Sequence, residues 1–167
     1  MRTNAVVLID GPSGAGKSTL ADVLIASWPG PRRPTLVRLD DIYPGWDGLD
    51  AAIAHVQENV LRPRRAGQRA RWQRYDWDRA APAEWNIVRS GHPLIVEGCG
   101  TLAAAHEELS DVRVWIDADD TVRKRRALAR DGEAYRPFWN AWQTQWESFV
   151  ARESPQSHAT IRMRGTD

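Results

Sequence analysis

Residues 6–20 read VVLIDGPSGAGKSTL, and the fold turns on them. An apolar run, Val6-Val7-Leu8-Ile9, leads into Gly11-Pro12-Ser13-Gly14-Ala15-Gly16-Lys17-Ser18. That segment satisfies G-x-x-x-x-G-K-[ST] without departure. At ordinary glycine usage, a chance match in a chain this long is on the order of one in a hundred. The context lowers the odds further, because a buried strand precedes the loop and a helix-forming segment, 18–27, follows it. Glycines let backbone N–H groups turn inward on a polyphosphate. The following helix adds its positive end. The expected nucleotide contacts are Gly11, Ser13, Gly14, Ala15, Gly16, Lys17, Ser18 and Thr19. Lys17 brings a compact charge to the β- and γ-phosphates, and Ser18 offers its hydroxyl to Mg²⁺. The chain holds 21 arginines and only two lysines, Lys17 and Lys124. Lysine at position 17 of so arginine-biased a sequence marks a place where a guanidinium fork would not fit. ATP and Mg²⁺ are the expected cofactors.

The strand-then-helix order continues beyond the loop. Segments 4–9, 35–39, 93–96 and 112–116 read as strands, and 159–163 as a candidate last one. Segments 18–27, 49–61, 101–109, 119–130 and most of 134–153 read as helices, the last interrupted near Pro137. Segment 69–77 alternates as a short strand or hairpin arm, and 85–89 reads equally as strand or helix. The pattern predicts an α/β fold, a mostly parallel sheet with helices on both faces. Its 167 residues are expected to form one domain, 1–167, with a helical lid around 123–137.

Bulk chemistry narrows the partners. A net charge of +1 argues against nucleic acid or a membrane surface as the main partner. No apolar run reaches the ~18 residues of a membrane span. Cys99 is the only cysteine, which excludes an internal disulfide and fits a reducing cytoplasm. The short apolar run at the amino end gives no sign of a signal peptide. His55, His92, His106 and His158 lack metal-ligand spacing. Of nine tryptophans, Trp72, Trp77, Trp85, Trp139, Trp142 and Trp146 cluster in two segments; packing is the main expectation, with some free to wall a planar ligand.

Ligands of such sheets bind beyond the carboxyl ends of the strands. The acids there are Asp10, Asp40 with Asp41, Glu97 and Asp117. Asp40 is the expected base, accepting the proton of an attacking hydroxyl. Glu97 and Asp117 compete for the metal; the Gly98 that follows favours Glu97, acting through bound water. Arg123, Arg126 and Arg130 share one helix face at i, i+3 and i+7, ahead of a hinge at Asp131-Gly132-Glu133. At least one of them is expected to clamp ATP or stabilise the transferred phosphoryl group. Tyr75-Asp76-Trp77-Asp78 places aspartates beside aromatic rings.

Together GPSGAGKST, LDDIY at 39–43, YDWD at 75–78, LIVEG at 94–98 and DADDTVRKRRALARD at 117–131 resemble the uridine kinase-like P-loop small-molecule kinases. The resemblance runs from the phosphate loop to about Glu133. It implies a P-loop NTPase fold with a five-stranded parallel sheet. It implies Asp40 as base, Tyr43 near the acceptor, Asp76 on ribose hydroxyls, Glu97 as the strand-end acid, and Arg123 with Arg126 as the lid pair. The expected activity is transfer of the ATP γ-phosphate to a small-molecule hydroxyl, a nucleoside among the candidates. The segment 134–153 matches no nucleoside-binding pattern. A similarity of IDGPSGAGK to cytidylate kinase keeps a monophosphate acceptor open, held by Arg69, Arg71 and Arg74. An ATPase or a nucleotide-binding regulator is the alternative of another class; no N-K-x-D guanine motif is present.

Overall fold

The computed structural model describes residues 4–165. The chain order is β1 (Val6–Asp10), α1 (Lys17–Ala26), β2 (Thr35–Arg38), α2 (Leu49–Val56), α3 (Arg62–Arg65), β3 (Arg71–Asp76), β4 (Ala81–Ile87), β5 (Leu94–Glu97), β6 (Val112–Asp117), α4 (Asp120–Tyr135), α5 (Trp139–Glu153) and β7 (Ile161–Arg164). Five strands form one sheet in the order β2-β5-β1-β6-β7, and every pairing within it is parallel. β3 and β4 form a separate antiparallel hairpin, which resolves 85–89 in favour of strand over Trp85–Ile87.

β1 is buried along its whole length, as a central strand covered on both faces must be. Alternation divides its side chains. Val6 and Leu8 join Val37, Leu94 and Val96 beneath α2 and α5; Val7 and Ile9 join Ile95, Val114 and Ile116 beneath Ala21 of α1. The tryptophans of α5 fall at i, i+3 and i+7. Trp139, Trp142 and Trp146 therefore share its buried face, and Trp146 stacks on Trp115 with centroids 5.7 Å apart.

Three helical expectations change form. Segment 49–61 begins as α2 but widens into a π turn over Gln57–Leu61 before α3. Pro63 follows at once and has no N–H for the carbonyl four residues back. Segment 101–109 is helical only from Ala104, as a 3-10 turn, because the backbone N–H groups of Gly100 and Leu102 are drawn to the Asp10 carboxylate instead. α4 runs past residue 130 to Tyr135 but is broken at Gly132, where φ is 57° and ψ is −138°. The side chain of Asp131, first in the expected hinge, lies outside the described residues, as do residues 1–3 and 166–167 of the expected 1–167 domain.

Candidate active site

The loop after β1 rests directly on the backbone of its neighbours. At Gly14, φ is +80°, and an added Cβ would lie 2.0 Å from the Arg123 carbonyl oxygen at the start of α4. Only glycine permits both the backbone conformation and the approach. Below the loop, the fully buried Asp10 accepts from the backbone N–H groups of Gly11 at 2.7 Å, Gly100 at 3.0 Å and Leu102 at 2.7 Å. It ties the phosphate loop to the turn after β5. Burial pushes its carboxyl up to about 6, against the pull of those N–H groups.

The loop opens onto a cavity of about 630 Å³. Ser13, Gly14, Ala15, Gly16, Lys17, Ser18 and Thr19 line it, together with Asp40, Glu97, Arg126 and Arg130. Gly11 is set behind it, and its carbonyl accepts from Lys17 Nζ at 2.8 Å; the Pro12 carbonyl accepts at 3.0 Å. Burial disfavours the ammonium, but the negative groups around it outweigh burial and raise its pKa. The Ser18 hydroxyl donates to Glu97 Oε1 at 2.9 Å, and Arg38 donates to the same oxygen at 3.0 Å. Burial raises the Glu97 carboxyl, with Lys17 opposing. Ser18 and Glu97 thus pair a hydroxyl and a carboxylate on one wall, the hard-oxygen donor set that suits Mg²⁺. Asp117, the competitor, is not among the residues lining this cavity.

A second cavity, about 250 Å³, adjoins the first. Its walls are aromatic: Tyr43, Trp46, Trp77, Tyr135 and Trp142. Ser13, Asp40 and Arg130 line both cavities. Asp40 sits in the 3-10 turn Leu39–Asp41 at the end of β2, with Arg130 Nη2 3.9 Å from its Oδ2. The turn is held by Trp77, whose Nε1 donates to the Asp40 carbonyl at 2.9 Å. Tyr43 donates its hydroxyl to the Cys99 carbonyl at 2.8 Å, and burial drives its pKa upward. From the end of α4, Tyr135 donates to Ser13 Oγ at 3.1 Å, joining the far side of the aromatic cavity to the phosphate loop.

Besides Gly11, Arg123 and Asp76 sit apart from where the sequence placed them. Arg123 does not line the phosphate cavity. Its side chain is buried against the Trp139 ring, donating to Asp120 at 2.7 Å and Gln143 at 3.0 Å. Lying one turn before Arg126, it meets α5 rather than the cleft. Asp76 does not line the aromatic cavity; it accepts from the Arg79 backbone N–H and pairs with Arg74, capping the β3–β4 turn. Of the arginines reserved for an acceptor phosphate, Arg71 stacks on Trp85, Arg74 pairs with Glu84, and Arg69 lines a different cavity.

Sequence reading missed other lining residues. Cys99, Leu20, Val23 and Ile116 contribute to the phosphate cavity, as do Met163, Arg164 and Gly165 from β7 and just beyond it. Trp46 and Tyr135 carried no motif. Their stacking at 5.0 Å depends on α4 returning beside the loop after β2. Among the described residues, no group of three His, Cys, Asp or Glu side chains could hold a metal alone, and no helix is long and apolar enough to cross a membrane.

Residues 7–147 match the model of a protein family described as an AAA domain. The chain belongs to that family. It is also 26% identical over 144 residues to uridine-cytidine kinase A of Dictyostelium discoideum, an alignment covering 78% of this chain and 29% of that relative. The chain therefore spans less than a third of the relative's length. Among solved structures, a protein described as a possible uridine kinase from Bacillus stearothermophilus superposes with a TM-score of 0.67 at 16% identity, covering 96% of this chain and 88% of that one. A gluconokinase from Sinorhizobium meliloti superposes with a TM-score of 0.58 at 16% identity, covering 100% and 86%. The shared architecture is the P-loop NTPase fold, α/β with helices on both faces of a five-stranded parallel sheet.

Proposed function

We propose that this chain is a small-molecule kinase, moving the γ-phosphoryl group of ATP to an acceptor hydroxyl. The observation that carries this reading is the position of Asp40, a strand-end carboxylate shared by the phosphate-loop cavity and the aromatic cavity. An ATPase needs no second, walled chamber beyond its base. The kinase names of the similar proteins support the same class.

Each residue has a task in this scheme. The backbone N–H groups of residues 13–19 and the Lys17 ammonium hold the β- and γ-phosphates. Arg126 and Arg130 of the expected lid, 123–137, face the same space and offset charge as it builds on the moving group. Ser18 and Glu97 would hold Mg²⁺, Glu97 through water; the ion would neutralise phosphate charge. Asp40 orients the acceptor hydroxyl and takes its proton as the new O–P bond forms and the bond to ADP breaks. Arg123 acts from a distance, fixing α4 against α5. Tyr43 supports the turn that carries Asp40, and Asp76 shapes the hairpin that presents Trp77.

The test is Asp40→Asn. ATP binding by calorimetry should stay within about threefold of the wild type, while transfer falls by roughly 10²–10⁴. Near-normal transfer in this variant would remove Asp40 from the role.

A further inference from the structure

Six of the thirteen residues 62–74 are arginines, and the phosphoryl-transfer scheme uses none of them. Three are already engaged: Arg62 pairs with Glu58, Arg74 pairs with Glu84, and Arg71 stacks on Trp85. Arg64 and Arg69 differ. Among the described residues neither makes an ion pair, and both line one cavity of about 500 Å³. Asn4, Gln68 and Ser90 add polar side chains to its wall, and no Asp or Glu lines it. Ala70, Ile87 and Val88 contribute apolar surface. A third guanidinium stands beside the wall, since Arg32 Nη1 donates to the carbonyl of the lining residue Gly91 at 2.9 Å.

The fold sets this cavity at the far pole of the sheet. Asn4 precedes β1 and Gly91 precedes β5, two parallel strands whose other ends carry Asp10 and Glu97. The cavity shares no lining residue with the phosphate cavity.

Arg64 indicates what this space is built to hold. Its Nη2 donates to the Asn4 carbonyl at 3.0 Å and to the His92 carbonyl. Its Nε is buried without a partner, which leaves Nη1 as the nitrogen open to the surroundings. Burial pulls its pKa down, and Asp111 opposes that pull only in part. Asp111 lies outside the lining and its carboxylate accepts from the Val6 N–H at 2.8 Å. A half-buried cation answered mainly by carbonyls is costly to keep charged, and an anion in the cavity would offset that cost.

We propose that this cavity is a second anion site, separate from the nucleotide site, and that it takes a small phosphate ester. The two charges of a phosphomonoester match the guanidiniums of Arg64 and Arg69, whose planar forks suit phosphate oxygens. The organic part of the ester lies against Ala70, Ile87 and Val88, with Asn4, Gln68 and Ser90 available to its hydroxyls. The volume is that of a small-molecule site. A chain of net charge +1 offers little to an extended nucleic acid beyond this cavity. The site stands apart from the kinase reading and does not depend on it.

The test is a titration of the whole chain with ribose 5-phosphate, followed by backbone amide NMR. Ribose and ribonate are the neutral and singly charged counterparts. The amides of Gly67, Gln68, Ser90 and Gly91 report this cavity, and those of Gly14 and Gly16 report the phosphate loop, so the two sites are read separately. Ribose 5-phosphate should shift the first group with an affinity at least about threefold above ribonate, with ribose weaker still. Arg69→Gln should weaken binding at the first group about tenfold, the worth of one charge-assisted contact, and leave the phosphate-loop signals within about threefold. Arg64→Gln should act in the same direction. Should that variant fail to fold, Arg69→Gln decides, because Arg69 is exposed and makes no ion pair among the described residues. The site is dismissed if the first group does not respond, if ribonate or ribose binds as tightly as the ester, or if Arg69→Gln changes its affinity less than about threefold. It is also dismissed if a short single-stranded oligonucleotide binds there more tightly than the ester. No phosphoryl transfer is measured, so the kinase reading survives or fails independently.

Discussion

Ser18 Oγ and Glu97 Oε1 lie 2.9 Å apart, joining the first turn of α1 to the tip of β5. The contact holds the two oxygen donors at one corner of the phosphate cavity. Glu97→Gln keeps an acceptor for Ser18 and removes the negative charge. Nucleotide binding titrated against Mg²⁺ should then require at least tenfold more of the ion, with little change in its absence. Because burial raises the Glu97 carboxyl, acidification neutralises it earlier than an ordinary glutamate. The Mg²⁺-dependent part of binding should accordingly fade as pH falls toward the acid range, and Glu97→Gln should lose that fading. A pH-independent Mg²⁺ requirement in the wild type would dismiss Glu97 as the metal's acid.

Lys17 Nζ is held by the Gly11 and Pro12 carbonyls, at 2.8 and 3.0 Å. These are neutral acceptors, and a polyphosphate offers stronger, charged ones. Lys17→Ala should weaken ATP binding by ten- to about a hundredfold, matching the roughly 1.5–3 kcal/mol of a charge-assisted hydrogen bond. Transfer should fall further, since the same charge serves the transition state. Calorimetry and initial rates check the two separately; loss of rate at unchanged affinity would confine Lys17 to chemistry.

Asp10 makes stability depend on pH with a definite sign. Its carboxyl stands at about 6 in the folded chain against 3.8 for the free group. Between those values the folded state holds the proton more firmly than the unfolded state. Its contribution is fully present below about 3.8 and is lost as pH rises through about 6, a change of about 3 kcal/mol. Urea denaturation at pH 4.5 and 7.5 should show this slope, and Asp10→Asn should flatten it. Asp10→Asn should also lower stability by about 1–3 kcal/mol at pH 4.5, because its NH₂ group faces a backbone donor, and the gap should narrow as pH rises. An unaltered slope in the variant would assign the pH dependence to other acids.

The legible part of this molecule was the part written in contiguous residues. GPSGAGKS specified the loop and the helix after it, and the apolar runs gave the sheet strands to within two residues or so. Asp40 and Glu97 could be placed from their strand-end positions, and both line the phosphate cavity. What stayed hidden depends on distant chain segments meeting. The aromatic cavity joins Trp46, Trp77 and Trp142 from three separate stretches. The wall from Met163 to Gly165 exists only because β7 pairs with β6. Arg123 and Arg126 look equivalent in a stripe of arginines. Only the packing of α5 turns one onto Trp139 and leaves the other facing the cleft.

Gly132 separates a conformational role from a steric one. Its φ of 57° with ψ of −138° interrupts α4, yet an added Cβ would meet nothing within 4 Å. Any effect of Gly132→Ala is therefore backbone strain, costing about 1–3 kcal/mol, or a straightening of the helix that relieves it. Straightening changes the phase of the next turn and draws Tyr135 away from Ser13, to which it donates at 3.1 Å. Gly67→Ala is the control: its φ of +69° is also positive and its surroundings are open, but it lies in the connection before β3. Gly67→Ala should cost up to about 1 kcal/mol and leave transfer intact. Gly132→Ala should lower transfer at least tenfold with ATP affinity within threefold. Denaturation curves and initial rates measured side by side decide it. Equal rate losses in both variants would reduce the break in α4 to a local irregularity without a part in catalysis.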